Sequence, residues 1–164
     1  MNRSCLTAVV AACTALCACA TRYGPESLGV GATLAEVERT LGQPTGRHAG
    51  QPAERIEYAR GPFGRHTYML VFGADGKLVG WEQVLTESRF DQLRVGISRD
   101  ELLASIGRPS EVGNLSWQRL TLWSYRYETP FCRWFQVALD QSGRVVETGY
   151  GPDPLCNGKP SASQ

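Results

Sequence analysis

Six cysteines, two histidines and a pair of glutamates in matching contexts are the residues of this 164-residue chain best able to carry covalent or acid–base chemistry. Cys5, Cys13, Cys17 and Cys19 fall in the first nineteen residues, where Arg3 precedes an apolar run from Cys5 to Leu16 that ends at small residues. One positive charge, a short apolar stretch and a small-residue end form the pattern of a bacterial export signal, and the run is too short to cross a bilayer as a helix. Beyond residue 19 only Cys132 and Cys156 remain, and two thiols in an exported chain invite one disulfide. Such a bridge would tie the Pro/Gly-rich segment after the last strand back onto the sheet, worth roughly 3 kcal/mol by loop entropy. The rival reading is a catalytic cysteine, for which His48 and His66 are the only histidine bases, and both sit in turn-like sequence. Glu36 and Glu101 could serve as paired acid and base, but each stands three residues after a Thr or Ser, where a helix cap accounts for it. Asp75 belongs to a hairpin turn. There is no Gly-rich phosphate loop, metal-spaced His/Cys cluster or nucleophile elbow, so the expectation is a non-enzymatic protein without cofactor or metal.

Leu16-Cys17-Ala18-Cys19 resembles a lipobox, the motif at which lipoprotein signal peptidase cuts before a diacylglyceryl-modified cysteine. The resemblance implies a signal peptide over 1–18, lipidation at Cys19 and an anchor with short linker over 19–26. An ordinary secretory signal cut near Ala18 or Ala20 is the alternative. Several acyl chains on one cysteine anchor stably where one holds only marginally. By the sorting pattern of such lipoproteins, Ala20 implies an outer-membrane address facing the periplasm.

The elements that would position these groups are written twice. Val30 to Val37 recurs as Val95 to Leu102, and Leu41-Gly42-Gln43-Pro44-Thr45 recurs as Ile106-Gly107-Arg108-Pro109-Ser110, 65 residues on. Phe72 to Val79 matches Leu139 to Val146 at a spacing of 67. Two copies at so long a period indicate a duplicated small unit, not a solenoid. Thr33 with Glu36 and Ser98 with Glu101 read as capping boxes, and the Gly-x-Pro after each short apolar stripe ends the helix. A further box at Ser88 to Asp91 suggests a short helix, with Ser27 and Leu28 as its abbreviated counterpart. Strands are expected at 55–59, 66–72 and 77–85, and again at 119–127, 132–139 and 144–150. The expected fold is α+β: two tandem helix-helix-strand-strand-strand repeats, at 27–86 and 87–156, with short helices on one face of an antiparallel sheet and a disordered tail at 157–164.

Phe90-Asp91-Gln92-Leu93-Arg94-Val95-Gly96-Ile97-Ser98, then Glu101-Leu102 and Ile106-Gly107-Arg108-Pro109, resembles the signature of the SmpA/OmlA (BamE) family of outer-membrane lipoproteins, with a thinner version at 30–44. The doubling is similar to that of the β-lactamase inhibitor protein. The resemblance implies a lipid-anchored module that binds another protein in the envelope, in outer-membrane or β-barrel assembly. The doubled unit implies instead an inhibitor of an envelope hydrolase, and a peptidoglycan or lipid tether is a third reading.

Aromatic side chains point the same way, because Tyr and Trp anchor protein interfaces. The residues singled out for partner binding are Phe63 and Arg65, in a Gly-rich loop, with Trp123, Tyr125 and Trp134 on the strands. Burial in the core is the competing account of any one of them. Basic and acidic residues balance, 17 against 16, so nucleic acid is not an expected partner.

Overall fold

Residues 24–49, 53–61 and 64–158 of the computed structural model are described here. The export signal, Cys19, Phe63 and residues 159–164 lie outside them. The elements in chain order are α1 (Leu34–Leu41), β1 (Gly46–His48), β2 (Glu54–Arg60), β3 (His66–Phe72), β4 (Leu78–Gln83), α2 (Glu87–Phe90), α3 (Arg99–Ile106), β5 (Glu111–Leu115), β6 (Leu120–Tyr125), β7 (Arg133–Leu139) and β8 (Val145–Pro152), followed by a 3-10 helix (Pro154–Gly158). The strands form two antiparallel meanders, β1-β2-β3-β4 and β5-β6-β7-β8.

This overturns the α+β expectation: the chain is mostly β, two four-stranded sheets with a few short helices. Each unit has a fourth strand, β1 or β5, beyond the three expected. Gly46-Arg47-His48 and Glu111 to Leu115 lack apolar alternation because both are edge strands, and every residue of β5 is exposed. The second helix expected of the first unit is a turn at Ser27, closed by the Leu28 amide on the Pro25 carbonyl at 2.9 Å. Its counterpart α2 is capped by Thr86, whose hydroxyl accepts from the Arg89 amide at 3.3 Å, and Ser88 lies inside the helix.

Within each unit the same chemistry recurs atom for atom. Thr33 and Ser98 accept from the amides of Glu36 and Glu101, whose carboxylates accept in return at 2.8 and 2.7 Å. Both helices end on a glycine at φ 78°, Gly42 and Gly107, a conformation that a side chain disfavours. Tyr58 Oη donates to the Gly42 carbonyl and Tyr125 Oη to the Gly107 carbonyl, each at 3.2 Å. The Gly31 amide meets the Leu78 carbonyl and the Gly96 amide the Val145 carbonyl, both at 2.7 Å. A bulge falls between Val71 and Phe72 and again between Ala138 and Leu139. Within the strands, residues correspond at an offset of 67.

Two cores follow from strand alternation. On one face of the first sheet Ile56, Tyr58, Leu70 and Phe72 pack with Val37 of α1. On the matching face of the second, Trp123, Tyr125, Phe135, Val137 and Leu139 pack with Leu102 and Ile106 of α3. The second core also contains Met69, Val84 and Leu85 from the first unit. They belong there because α3 crosses the reverse face of the first sheet: Arg55 Nη1 donates to the Ala104 carbonyl at 2.9 Å, and the Arg108 amide donates to Glu57 at 3.3 Å. The helix thus lies between the two sheets and serves both. Cys132 and Cys156 are joined by a disulfide with Cα atoms 5.7 Å apart, which fastens the 3-10 helix to the start of β7.

Candidate functional site

Strand β2 alternates between two environments, and the position between Ile56 and Tyr58 carries an acid. Glu57 is fully buried. Its carboxylate lies 2.8 Å from His48 Nε2 on β1 and accepts from Thr45 Oγ1 at 3.4 Å and from the Arg108 amide at 3.3 Å. A buried carboxylate is costly unless its oxygens are met, and here residues from both units meet them. Burial first, and Glu57 second, push the Tyr125 phenol well above its ordinary value, so it stays a hydrogen-bond donor. A cleft of about 510 Å³ opens beside this group, lined by Thr45, Glu57, Thr67, Arg108, Ser110 and Arg126. Glu57 fastens α3 to the first sheet, and its pairing supplies a structural reason for an acid in the interior. Both thiols beyond residue 19 are consumed by the disulfide, so neither can act as a nucleophile. Among the described residues no three His, Cys, Asp or Glu side chains come together in a way that could hold a metal ion.

The residues singled out for partner binding do not assemble into one exposed patch. Tyr125 is 0 % and Trp123 7 % exposed, both packed in the second core. Trp134 lies on the opposite face of the sheet but is 6 % exposed, because the Arg126 guanidinium stacks 5.0 Å from its ring centre while Nε holds Asp153 at 3.0 and 3.2 Å. Arg65 is half-buried in a recess with Tyr127, Phe131, Asp153 and the disulfide. Phe63 is outside the described residues.

Two other surfaces are open. The first is the β5–β6 hairpin. Its turn is closed by the Gln118 amide on the Leu115 carbonyl at 3.0 Å, and Trp117 at its tip is fully exposed. Arg119 completes the turn at φ 56°, the one non-glycine in the left-handed region among the described residues. Val112 and Leu115 beside it are also exposed, and no carboxylate occurs between Glu111 and Glu128. The second surface is the face of the second sheet turned away from α3. Leu115, Leu122, Gln136, Ala138 and Glu147 line a depression of about 240 Å³ there, with exposed Gly149 in its floor. The alternation Leu120, Leu122, Ser124 along β6 marks this face in the sequence, but nothing in the pattern says that it stays uncovered. The sequence signal for Trp117 is its place in Ser-Trp-Gln-Arg, a polar break just before the apolar run of β6.

A third cluster ties α2 to the second sheet. Glu87 accepts from Arg133 Nη2 and from Tyr127 Oη, both at 2.8 Å, and Arg133 Nε donates to the same phenol at 3.0 Å. The hydrogen bonds from Arg133 and then Tyr127 hold the Glu87 carboxyl below its ordinary value. Arg133 also stacks 4.4 Å from the Tyr150 ring centre, so every group in the cluster has a packing partner.

Compared with protein-family models, curated proteins and solved structures, the chain matches none. Among the described residues no helix is long and apolar enough to cross a membrane.

Proposed function

We propose that this protein is a non-enzymatic outer-membrane lipoprotein, anchored at Cys19 and facing the periplasm, that acts as a protein-binding module of the cell envelope in outer-membrane or β-barrel assembly. The observation that carries the reading is the Leu16-Cys17-Ala18-Cys19 motif directly before a fold that leaves a sheet face and an aromatic hairpin tip open. The disulfide supports it, since such bonds persist in oxidising compartments. Gly24, the first described residue, is five positions past Cys19, and five extended residues span at most about 18 Å, so an anchor there would hold the fold against the membrane.

Intact mass of the protein purified from membranes tests the anchor. The expected species begins at acylated Cys19 and gains two hydrogens on reduction. An unmodified chain beginning at Ala20 would reject the lipoprotein. Loss of the protein is expected to change the outer-membrane proteome, and an unchanged proteome would reject the assembly role.

A second reading, inhibition of an envelope hydrolase, is favoured by the fully exposed Trp117 on a projecting hairpin, a shape able to enter a cleft. Inhibition of a β-lactamase or cell-wall hydrolase at micromolar concentration, lost in Trp117→Ala, would support it. No inhibition at that concentration would remove it.

A further inference from the structure

We propose that the open face of the second sheet is a docking site for an α-helix of another protein, received as the first sheet receives α3. The inference rests on the reading of this chain as a protein-binding module and says what it binds.

The molecule contains its own template. At the offset of 67, Arg55, Glu57 and Met69 on the first sheet correspond to Leu122, Ser124 and Gln136 on the second. On the first sheet this face is occupied. Arg55 and Glu57 grip the backbone of α3 and its C-terminal cap, and Met69 is fully buried with Leu102 and Ile106. Gly107 of that cap sits so close that a Cβ on it would fall 2.9 Å from Thr67 Cγ2. No helix lies on the same face of the second sheet among the described residues: Glu147 and Gly149 are exposed and Leu122 and Gln136 half-buried, while Ser124 and Ala138 are buried. The parallel extends past the strands: α2 follows β4 as the 3-10 helix follows β8.

The differences between the two faces state what the helix must offer. Leu122 replaces Arg55, so the grip on a carbonyl gives way to apolar contact, and exposed Leu115 extends it. Gly149 replaces Glu82, and its floor position leaves room for an inserted side chain. Glu147 replaces Gly80, is exposed, and makes no ion pair among the described residues. The fitting ligand is an amphipathic helix with an apolar stripe and a Lys or Arg beside it to meet Glu147. A second copy does not supply it. Where α3 presents Leu103 and Ala104 toward the first sheet, α1 carries Glu38 and Arg39 at the positions 65 residues earlier, and those charges would be driven onto Leu122.

The test is site-specific photocross-linking in cells, using the full chain with benzoylphenylalanine at position 122. The expected product joins one other protein, within a segment whose apolar residues recur every three to four positions next to a basic one. Gly149→Arg, and separately Gly113→Arg, should each lower the yield at least tenfold. A Cβ at either glycine has nothing within 4 Å, so the fold accepts these changes, and an unaltered melting temperature checks it. A product with a second copy, with lipid or with an extended segment overturns the proposal. So does one unmoved by both arginines, or a yield no greater than from the same group at Arg39. If position 117 cross-links another protein and position 122 does not, protein binding stands and helix docking fails. If neither does, both fail.

Discussion

Gly42 and Gly107 hold the same place in the two units and the same φ of 78°, yet they face different surroundings. Nothing lies within 4 Å of a Cβ built on Gly42, whereas one on Gly107 would meet Thr67 at 2.9 Å and the Glu57 carboxyl carbon at 3.0 Å. Gly42→Ala is therefore expected to cost about 1–3 kcal/mol, the backbone penalty alone of φ 78° with ψ −165°, a region essentially confined to glycine. Gly107→Ala should cost about 1–3 kcal/mol more, through displacement of packed groups. Urea unfolding of the two variants measures the difference, and equal costs would contradict the placement of α3 against the first sheet. Glu57→Ala should cost about 1–3 kcal/mol, because it strips the Arg108 amide of its acceptor and leaves His48 facing a void. Little of this was legible from single residues. Both glycines read correctly as helix ends, but Glu57 gave no sign of being buried, since an acid between Ile56 and Tyr58 reads as the solvent side of a half-buried strand. Trp123 and Tyr125 went the other way: they alternate onto one face of β6, and α3, Phe90 of α2 and Met69 of the first unit make that face interior.

The capping boxes are the elements that the sequence disclosed most fully, because Thr33-x-x-Glu36 and Ser98-x-x-Glu101 state both partners of each bond. They carry a pH dependence. The backbone bond to Thr33 or Ser98, and then the hydroxyl bond to the same residue, hold the Glu36 and Glu101 carboxyls below their ordinary value of 4.5. A depressed folded value means that the unfolded chain binds protons first as pH falls. The stabilisation is complete above the unfolded value and is lost as pH drops through the folded one. Glu101→Gln should melt lower than the parent at pH 7 and converge with it toward pH 3. A gap that stays constant over that range would show that the carboxylate charge contributes nothing. Glu87, held down by Arg133 and Tyr127, adds to the same acid limb. Edge strands were the elements lost to sequence reading. Interior strands such as β3 and β7 announce themselves through burial on both faces, while β5 has no buried residue from which a period could arise.

At the scale of the whole chain, sequence repeat and physical unit diverge. A cut between residues 86 and 87 follows the repeat, but Met69, Val84 and Leu85 lie before it and pack in the core that comes after it. The disulfide closes a loop with a sequence separation of 24, and replacing both cysteines by serine should cost roughly 3 kcal/mol through the freed unfolded chain. That loss would fall on the end of the second unit, yet the first unit should feel it, because α3 is common to both sheets. The expected result is one cooperative transition in which far-UV dichroism and tryptophan fluorescence coincide. Met69→Ala, a truncation inside the second core made from the first unit, should lower the midpoint of that single transition by the equivalent of about 2–5 kcal/mol. Two separate transitions, with only the earlier one moved by Met69→Ala, would mean that α3 touches the first sheet without coupling to it. A single shifted transition would mean that the face of the first sheet under α3 is closed by folding itself, so that the two sheets and the helix between them form one cooperative unit.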